Sequence, residues 1–221
     1  MAQWNAATDH AAILFAGSVI GIIRNWLGVV NLSYLQIDDP ELLEEIIVTC
    51  ADLAYRNVEA WFQAGLRPDF LHWWEDICFN HGPLVSPEFF RTHCVPYYRR
   101  TTALARQYGC ALASVDCDGM IEELLELWLD GGVNIMFPIE IGTWHPDFLD
   151  WRRRYGRELR GVGGMNKHVL GKDRAAVDAE IERLRPWIDG GGFIPCPDHR
   201  LPPGTRWELV QYYTDRMRQL F

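Results

Sequence analysis

The chain has 221 residues, of which 48% are hydrophobic and 23% charged, and its formal net charge is −9. That length and composition predict a globular domain with a sizeable core rather than a disordered segment. The acidic balance excludes a general nucleic-acid surface, which needs clustered Lys and Arg.

No stretch reaches the roughly 18 apolar residues of a membrane span. Residues 11–23 come closest, but Gly17, Ser18 and Gly21 interrupt them. A basic region followed by an apolar segment, the mark of a signal peptide, is missing from the N-terminus. The six cysteines are scattered with no CxxC pair, which predicts reduced thiols in a cytoplasmic protein.

In chain order, the apolar run 11–20 reads as a buried strand. Asp38-Asp39-Pro40-Glu41 opens a helix with an acidic cap and a proline in the first turn, running to about Gly65. Residues 70–76 form a second strand. Ser86-Pro87-Glu88 starts the next helix in the same manner, and Tyr108-Gly109 stops it. A strand at 110–115 ends in Asp116-Cys117-Asp118-Gly119, and a helix over 121–129 closes at Gly131-Gly132. Residues 133–139 form a strand ending at Glu140, and 146–155 are helical. A strand from 159 leads into Gly163-Gly164-Met165-Asn166-Lys167, whose glycines read as barrel turns. A helix over 174–188 gives way at Gly190-Gly191-Gly192 to a strand from Phe193, ending in Asp198-His199. The last helix covers 205–220.

About six strand-helix units spaced this closely are βαβ crossovers, so the sheet is expected to be parallel and covered by helices. Nearly every strand finishes in a polar or ionisable residue. A (β/α) barrel brings all such ends to one mouth, whereas an open sheet uses only those near its switch point. The expected fold is therefore α/β, a parallel TIM-type (β/α) barrel in one domain over residues 1–221. With about six of the usual eight units, it is incomplete.

The strand ends supply the candidate chemistry. Glu75, Asp76, Glu140 and Lys167 are candidates for acid–base work. Asn166 and Arg24 are candidates for holding substrate, and Arg152 shares with Arg24 the ability to bind a carboxylate. Asp116, Asp118, Asp198 and His199 complete the set. Each has a plainer reading. Asp116 or Asp118 caps the following helix, Glu75-Asp76 is a salt-bridged strand end, Lys167 sits in a buried ion pair, and His199 pins a Pro-rich turn. His72, inside a strand, reads as a satisfied core residue.

Six motifs then occur in a familiar order: Trp74-Glu75-Asp76, Gly82-Pro83-Leu84-Val85-Ser86-Pro87, Asp116-Cys117-Asp118-Gly119, Gly132-Val133-Asn134, Gly163-Gly164-Met165-Asn166-Lys167, and Phe193-Ile194-Pro195 through Asp198-His199. Together they resemble the uroporphyrinogen decarboxylase superfamily over nearly the whole chain. That superfamily holds the haem-pathway decarboxylase and zinc-dependent methyltransferases that serve corrinoid proteins. The decarboxylase branch carries an arginine-rich N-terminal motif and an early-strand aspartate, and this sequence is expected to start after both. An acidic mouth also suits a porphyrinogen with many carboxylates poorly. The methyltransferase branch holds zinc with His-x-Cys and a late Cys. Here those positions read Asp116-Cys117-Asp118 and fall near His199, so the resemblance implies a divalent metal, zinc, on Asp116, Asp118 and His199.

The function expected from this resemblance is metal-assisted methyl transfer on a small substrate, with a corrinoid entering only through a partner protein. The alternatives are decarboxylation of a tetrapyrrole and a shortened, non-catalytic barrel that binds a ligand or partner. The absent barrel units predict an exposed sheet edge, and hence a homo-oligomer.

Overall fold

A computed structural model describes residues 9–220. Contacts along the chain gather into two units, Met1–Ile135 and Met136–Phe221.

In the first unit, strands β1 (Ile13–Gly17), β2 (Phe70–Trp74) and β5 (Leu112–Asp116) pair in parallel, with β2 between the other two. A short antiparallel hairpin, β3 (Cys78–Phe79) with β4 (Gly82–Pro83), follows β2. Two helices join β1 to β2: α1 (Gly21–Asp38) and α2 (Pro40–Gln63). The start of α2 follows the local signals, since the Asp39 side chain accepts from the Leu42 N–H and Pro40 occupies the first turn. Its buried Leu43, Ile47, Ala51, Val58 and Phe62 recur at helical spacing.

The single helix expected over 86–109 is two, α3 (Pro87–His93) and α4 (Val95–Gln107). Pro96, in the first turn of α4, has no N–H to continue a helical ladder through Cys94. The helix α1 was not expected at all. Its N-cap residue, Ile20, offers no side-chain cap, and Gly28 breaks the helical geometry inside it. After β5, a 3₁₀ turn leads into α5 (Leu125–Asp130).

The second unit carries β6 (Ile135–Ile139), α6 (Ile141–Trp144), α7 (Phe148–Tyr155), β7 (Arg160–Met165), α8 (Arg174–Asp189), β8 (Phe193–Pro197) and α9 (Trp207–Leu220). Strands β7 and β8 are parallel, in register from Gly161 opposite Phe193 to Met165 opposite Pro197. Gly163 and Gly164 lie inside β7, not in a turn. A Cβ on Gly164 would meet the rings of Phe193 and Trp187 at 2.8 Å, so the glycine admits aromatic packing onto the strand. Those rings, with Phe148 and Trp151, form this unit's aromatic core.

The six strands β1, β2, β5, β6, β7 and β8 follow one another in chain order in a parallel sheet with alternating helices, the organisation of an incomplete (β/α) barrel. Among the described residues, no helix is long and apolar enough to cross a membrane. All six cysteines are free thiols.

Candidate functional site

At the C-terminal end of β2 the chain places two carboxylates with different surroundings. Glu75 is fully buried and accepts five hydrogen bonds. The N–H of Val19 (2.7 Å) and the Tyr98 hydroxyl (2.6 Å) reach one oxygen. The N–H groups of Ile20 and Gly21 (both 2.9 Å) and the Ser18 hydroxyl (3.1 Å) reach the other. Val19, Ile20 and Gly21 lead into α1, so Glu75 supplies from the neighbouring strand the cap that Ile20 lacks. Burial pushes the Glu75 carboxyl above its usual range, while Tyr98 and the three N–H groups pull it back. Burial, followed by the charge of Glu75, pushes the Tyr98 hydroxyl well upward, so it remains a donor. A carboxylate saturated in this way is an anchor for the entry to α1.

Asp76 differs. Its backbone sits at φ 47°, a left-handed conformation that non-glycine residues seldom adopt. Its carboxylate pairs with Arg24 of α1 at 3.0 Å, and both side chains are partly exposed. The Arg24 guanidinium also lies 5.5 Å from the Trp74 ring centroid. The backbone carbonyl of Asp116 accepts from the N–H groups of Glu75 (2.8 Å) and Asp76 (3.3 Å). The Cys117 sulfur accepts from Ile77 N–H at 3.3 Å, and Phe79 C=O accepts from Met120 N–H at 2.7 Å. Gly119 is required here, because a Cβ would come within 2.7 Å of the Cys78 carbonyl oxygen. The segments after β2 and β5 are thus knitted together, and the half-buried Asp116 and Asp118 belong to the same unit as Asp76 and Arg24.

The second unit brings three strand ends together. Glu140 follows β6, Lys167 follows β7 and Asp198 follows β8, and all three are buried. The Lys167 ammonium lies 3.2 Å from Asp198 Oδ1 and 3.8 Å from Glu140 Oε1. Asp198 also accepts from the N–H of Lys167 (3.1 Å) and of Gly142 (2.7 Å). The cluster carries one cation and two carboxylates, with backbone donors saturating the deeper one. A Cβ on Gly142 would meet both Asp198 and the His168 ring at 3.3 Å, so a side chain there would crowd the cluster.

Several sequence expectations acquire geometry here. Glu140 and Lys167 come together as strand-end partners. Asp198, adjacent to the favoured His199, completes their cluster, and nothing local in a Pro-rich turn marks which of the two turns inward. Asn166 caps the following 3₁₀ turn through His168 N–H, and its own N–H donates to Glu180. Arg152 donates to the carbonyls of Leu159 (2.6 Å), Gly156 (3.3 Å) and Gly190 (3.4 Å), which ties a loop. His72 Nδ1 lies 2.7 Å from Ser114 Oγ, a partnered strand residue. Half-buried His199 follows Asp198 directly. Among the described residues, no group of three or more His, Cys, Asp or Glu side chains is gathered as a metal ion requires.

Fold and strand ends together define a parallel (β/α)-type protein whose polar residues stand where such barrels carry their chemistry. The chain belongs to the uroporphyrinogen decarboxylase family, whose model, "Uroporphyrinogen decarboxylase (URO-D)", matches residues 9–220. Among solved structures, a methyltransferase from Methanosarcina mazei is similar, with a TM-score of 0.73 and 15% sequence identity. The match covers 99% of this chain and 61% of that one, so this chain spans about three-fifths of the methyltransferase's length. At that identity the likeness is one of fold. No curated protein matches the chain.

Proposed function

We propose that this chain carries out methyl transfer on a small substrate, with the methyl group delivered to or taken from a corrinoid held by a partner protein. The observation that carries this reading is the pairing of the strand-end cations. Arg24 is tied to Asp76, and Lys167 to Asp198 and Glu140. A tetrapyrrole with several carboxylates needs unpaired cations, and carboxylates in excess would repel it. A small substrate with little or no negative charge meets no such penalty. The methyltransferase among the similar structures agrees with this class.

In this reading Glu140 takes the proton shed by the substrate's attacking heteroatom, and Lys167, 3.8 Å away, holds the carboxylate in position. Asp76, with Arg24 and Trp74, orients the substrate. The zinc that the family resemblance implies on Asp116, Asp118 and His199 is not matched by a gathered three-ligand set among the described residues. A second reading is a barrel that binds a ligand without catalysis.

The test incubates the purified chain with methylcobalamin and a panel of small thiols and amines, and in parallel with uroporphyrinogen. Methylated product is read by mass spectrometry and carbon dioxide release by isotope. Methyl transfer that falls at least about 100-fold in Glu140→Gln is expected. Decarboxylation without methyl transfer would overturn the reading, and silence in both assays supports the binding-only alternative. Elemental analysis of the wild type and Asp118→Ala, expressed with zinc, decides the metal.

A further inference from the structure

We propose that Cys78 and Cys117 are a redox-sensitive pair, whose oxidation to a disulfide locks the segment after β2 to the segment after β5. Both lie within the first unit, and the bond forms whatever reaction the strand ends carry out.

The fold holds the two residues side by side although the chain separates them. Ile77 N–H donates to the Cys117 sulfur across 40 positions of sequence. On the other flank of Cys78, Phe79 C=O accepts from Met120 N–H at 2.7 Å. The backbone on both sides of Cys78 is therefore tied to the turn that carries Cys117, and the two thiols share a hydrogen bond. Disulfide geometry tolerates little strain, so only cysteines that the backbone already holds together can form one.

A glycine permits this approach. Gly119 sits at φ 84°, and a Cβ there would lie 2.7 Å from the Cys78 carbonyl oxygen and 2.9 Å from the Phe79 carbonyl carbon. Any other residue would push the β3–β4 hairpin away and part the thiols.

The pair is also placed where a covalent link has consequences. Cys78 lies two residues after Asp76, and Cys117 stands between Asp116 and Asp118. In the reduced chain these segments are joined by hydrogen bonds alone, which open locally far more readily than a covalent bond. A disulfide fixes the strand-end carboxylates of β2 and β5 relative to one another.

Access comes through the hairpin. Cys78 is 4% exposed and Cys117 1%, whereas Phe79, the next residue, is 48% exposed. The hairpin strands are two residues each, too short to be held firmly by their own pairing. Lifting it admits a small oxidant to Cys78 first. With hydrogen peroxide, the Cys78 sulfur attacks one oxygen, the O–O bond breaks, and a sulfenic acid and one water form. The Cys117 sulfur then attacks the Cys78 sulfur, the S–O bond breaks, the S–S bond forms and a second water leaves. The two thiols lose two electrons and two protons, and the peroxide becomes two waters.

The test treats the full chain with a small excess of hydrogen peroxide, caps the remaining free thiols and reads the peptides by mass spectrometry. A Cys78–Cys117 linked peptide is expected, two hydrogen atoms lighter than the reduced pair and lost on adding dithiothreitol. Amide exchange over residues 75–79 and 116–120 should slow at least about tenfold on oxidation and recover on reduction. In Cys117→Ala the link should vanish and the Cys78 sulfenic acid should become trappable by dimedone, with circular dichroism unchanged. Cys78→Ala should likewise give no linked peptide, which keeps the test open should the first variant not fold. Both residues found capped while the half-buried Cys50 or Cys196 is oxidised overturns the proposal. A link from either residue to a third cysteine overturns it as well, and so does a Cys78–Cys117 link that leaves amide exchange unchanged.

Discussion

Replacing Glu75 with Gln separates a structural from a chemical role for the most deeply buried carboxylate of the first unit. One oxygen accepts from Val19 N–H and the Tyr98 hydroxyl, and the other from Ile20 N–H, Gly21 N–H and the Ser18 hydroxyl. An amide must place its NH₂ at one of these positions. Opposite Ile20 and Gly21 it would confront two backbone N–H groups. Opposite Val19 it confronts one, while the Tyr98 hydroxyl can turn to accept. The second arrangement is better and still loses one charge-assisted bond, at about 1.5–3 kcal/mol. The remaining bonds weaken with the charge. Relief from burying an ionised group offsets part of this. The net cost is about 3 kcal/mol, equivalent to a fall in Tm of roughly 6–12 °C for a chain of this size. Urea denaturation followed by circular dichroism measures it, and amide exchange should show α1 opening first. A Glu75→Gln chain within about 1 kcal/mol of the wild type refutes the anchoring argument. If that chain also lost activity, Glu75 would take part in the chemistry instead.

Lys167→Met leaves the buried carboxylates of Asp198 and Glu140 without their shared cation, and should cost about 3–5 kcal/mol. Adding Asp198→Asn should recover part of that loss, and a single variant as stable as the wild type would refute the pairing. Burial lowers the pKa of His72, so its neutral form is the one held beside Ser114. Its contribution to stability is complete above the unfolded value near ~6.5 and is lost as the pH falls toward and through the lowered folded value. Urea titrations at pH 7.5 and 5.5 should show a smaller difference in His72→Gln than in the wild type, and equal differences would count against it.

The sequence by itself determined what depends on neighbours in the chain. Asp39-Pro40 opens α2, Ser86 accepts from Phe89 N–H at the start of α3, and Asp173 accepts from Ala176 N–H at the start of α8. Each is a local capping event, so the residues alone announce it. The parallel strands and their polar ends were legible for the same reason, as short apolar runs bounded by turns and helices. The family motifs lie on those ends and were readable in order.

Only the tertiary structure decided α1 and the meaning of Glu75. The N-cap residue of α1, Ile20, carries no side-chain cap, and the strand read over 11–20 and the helix opened by Asp38 leave the residues of α1 unassigned. Its starting N–H groups find their acceptor in a carboxylate 54 to 56 positions along the chain. The same residue therefore looked like a candidate acid or base when read alone and like a helix cap once folded. Asp198 repeats the lesson, since its partners Gly142 and Lys167 are 56 and 31 positions away. Hydrogen bonds of a buried polar group must be satisfied by whatever the fold brings near, and sequence spacing does not encode that neighbour.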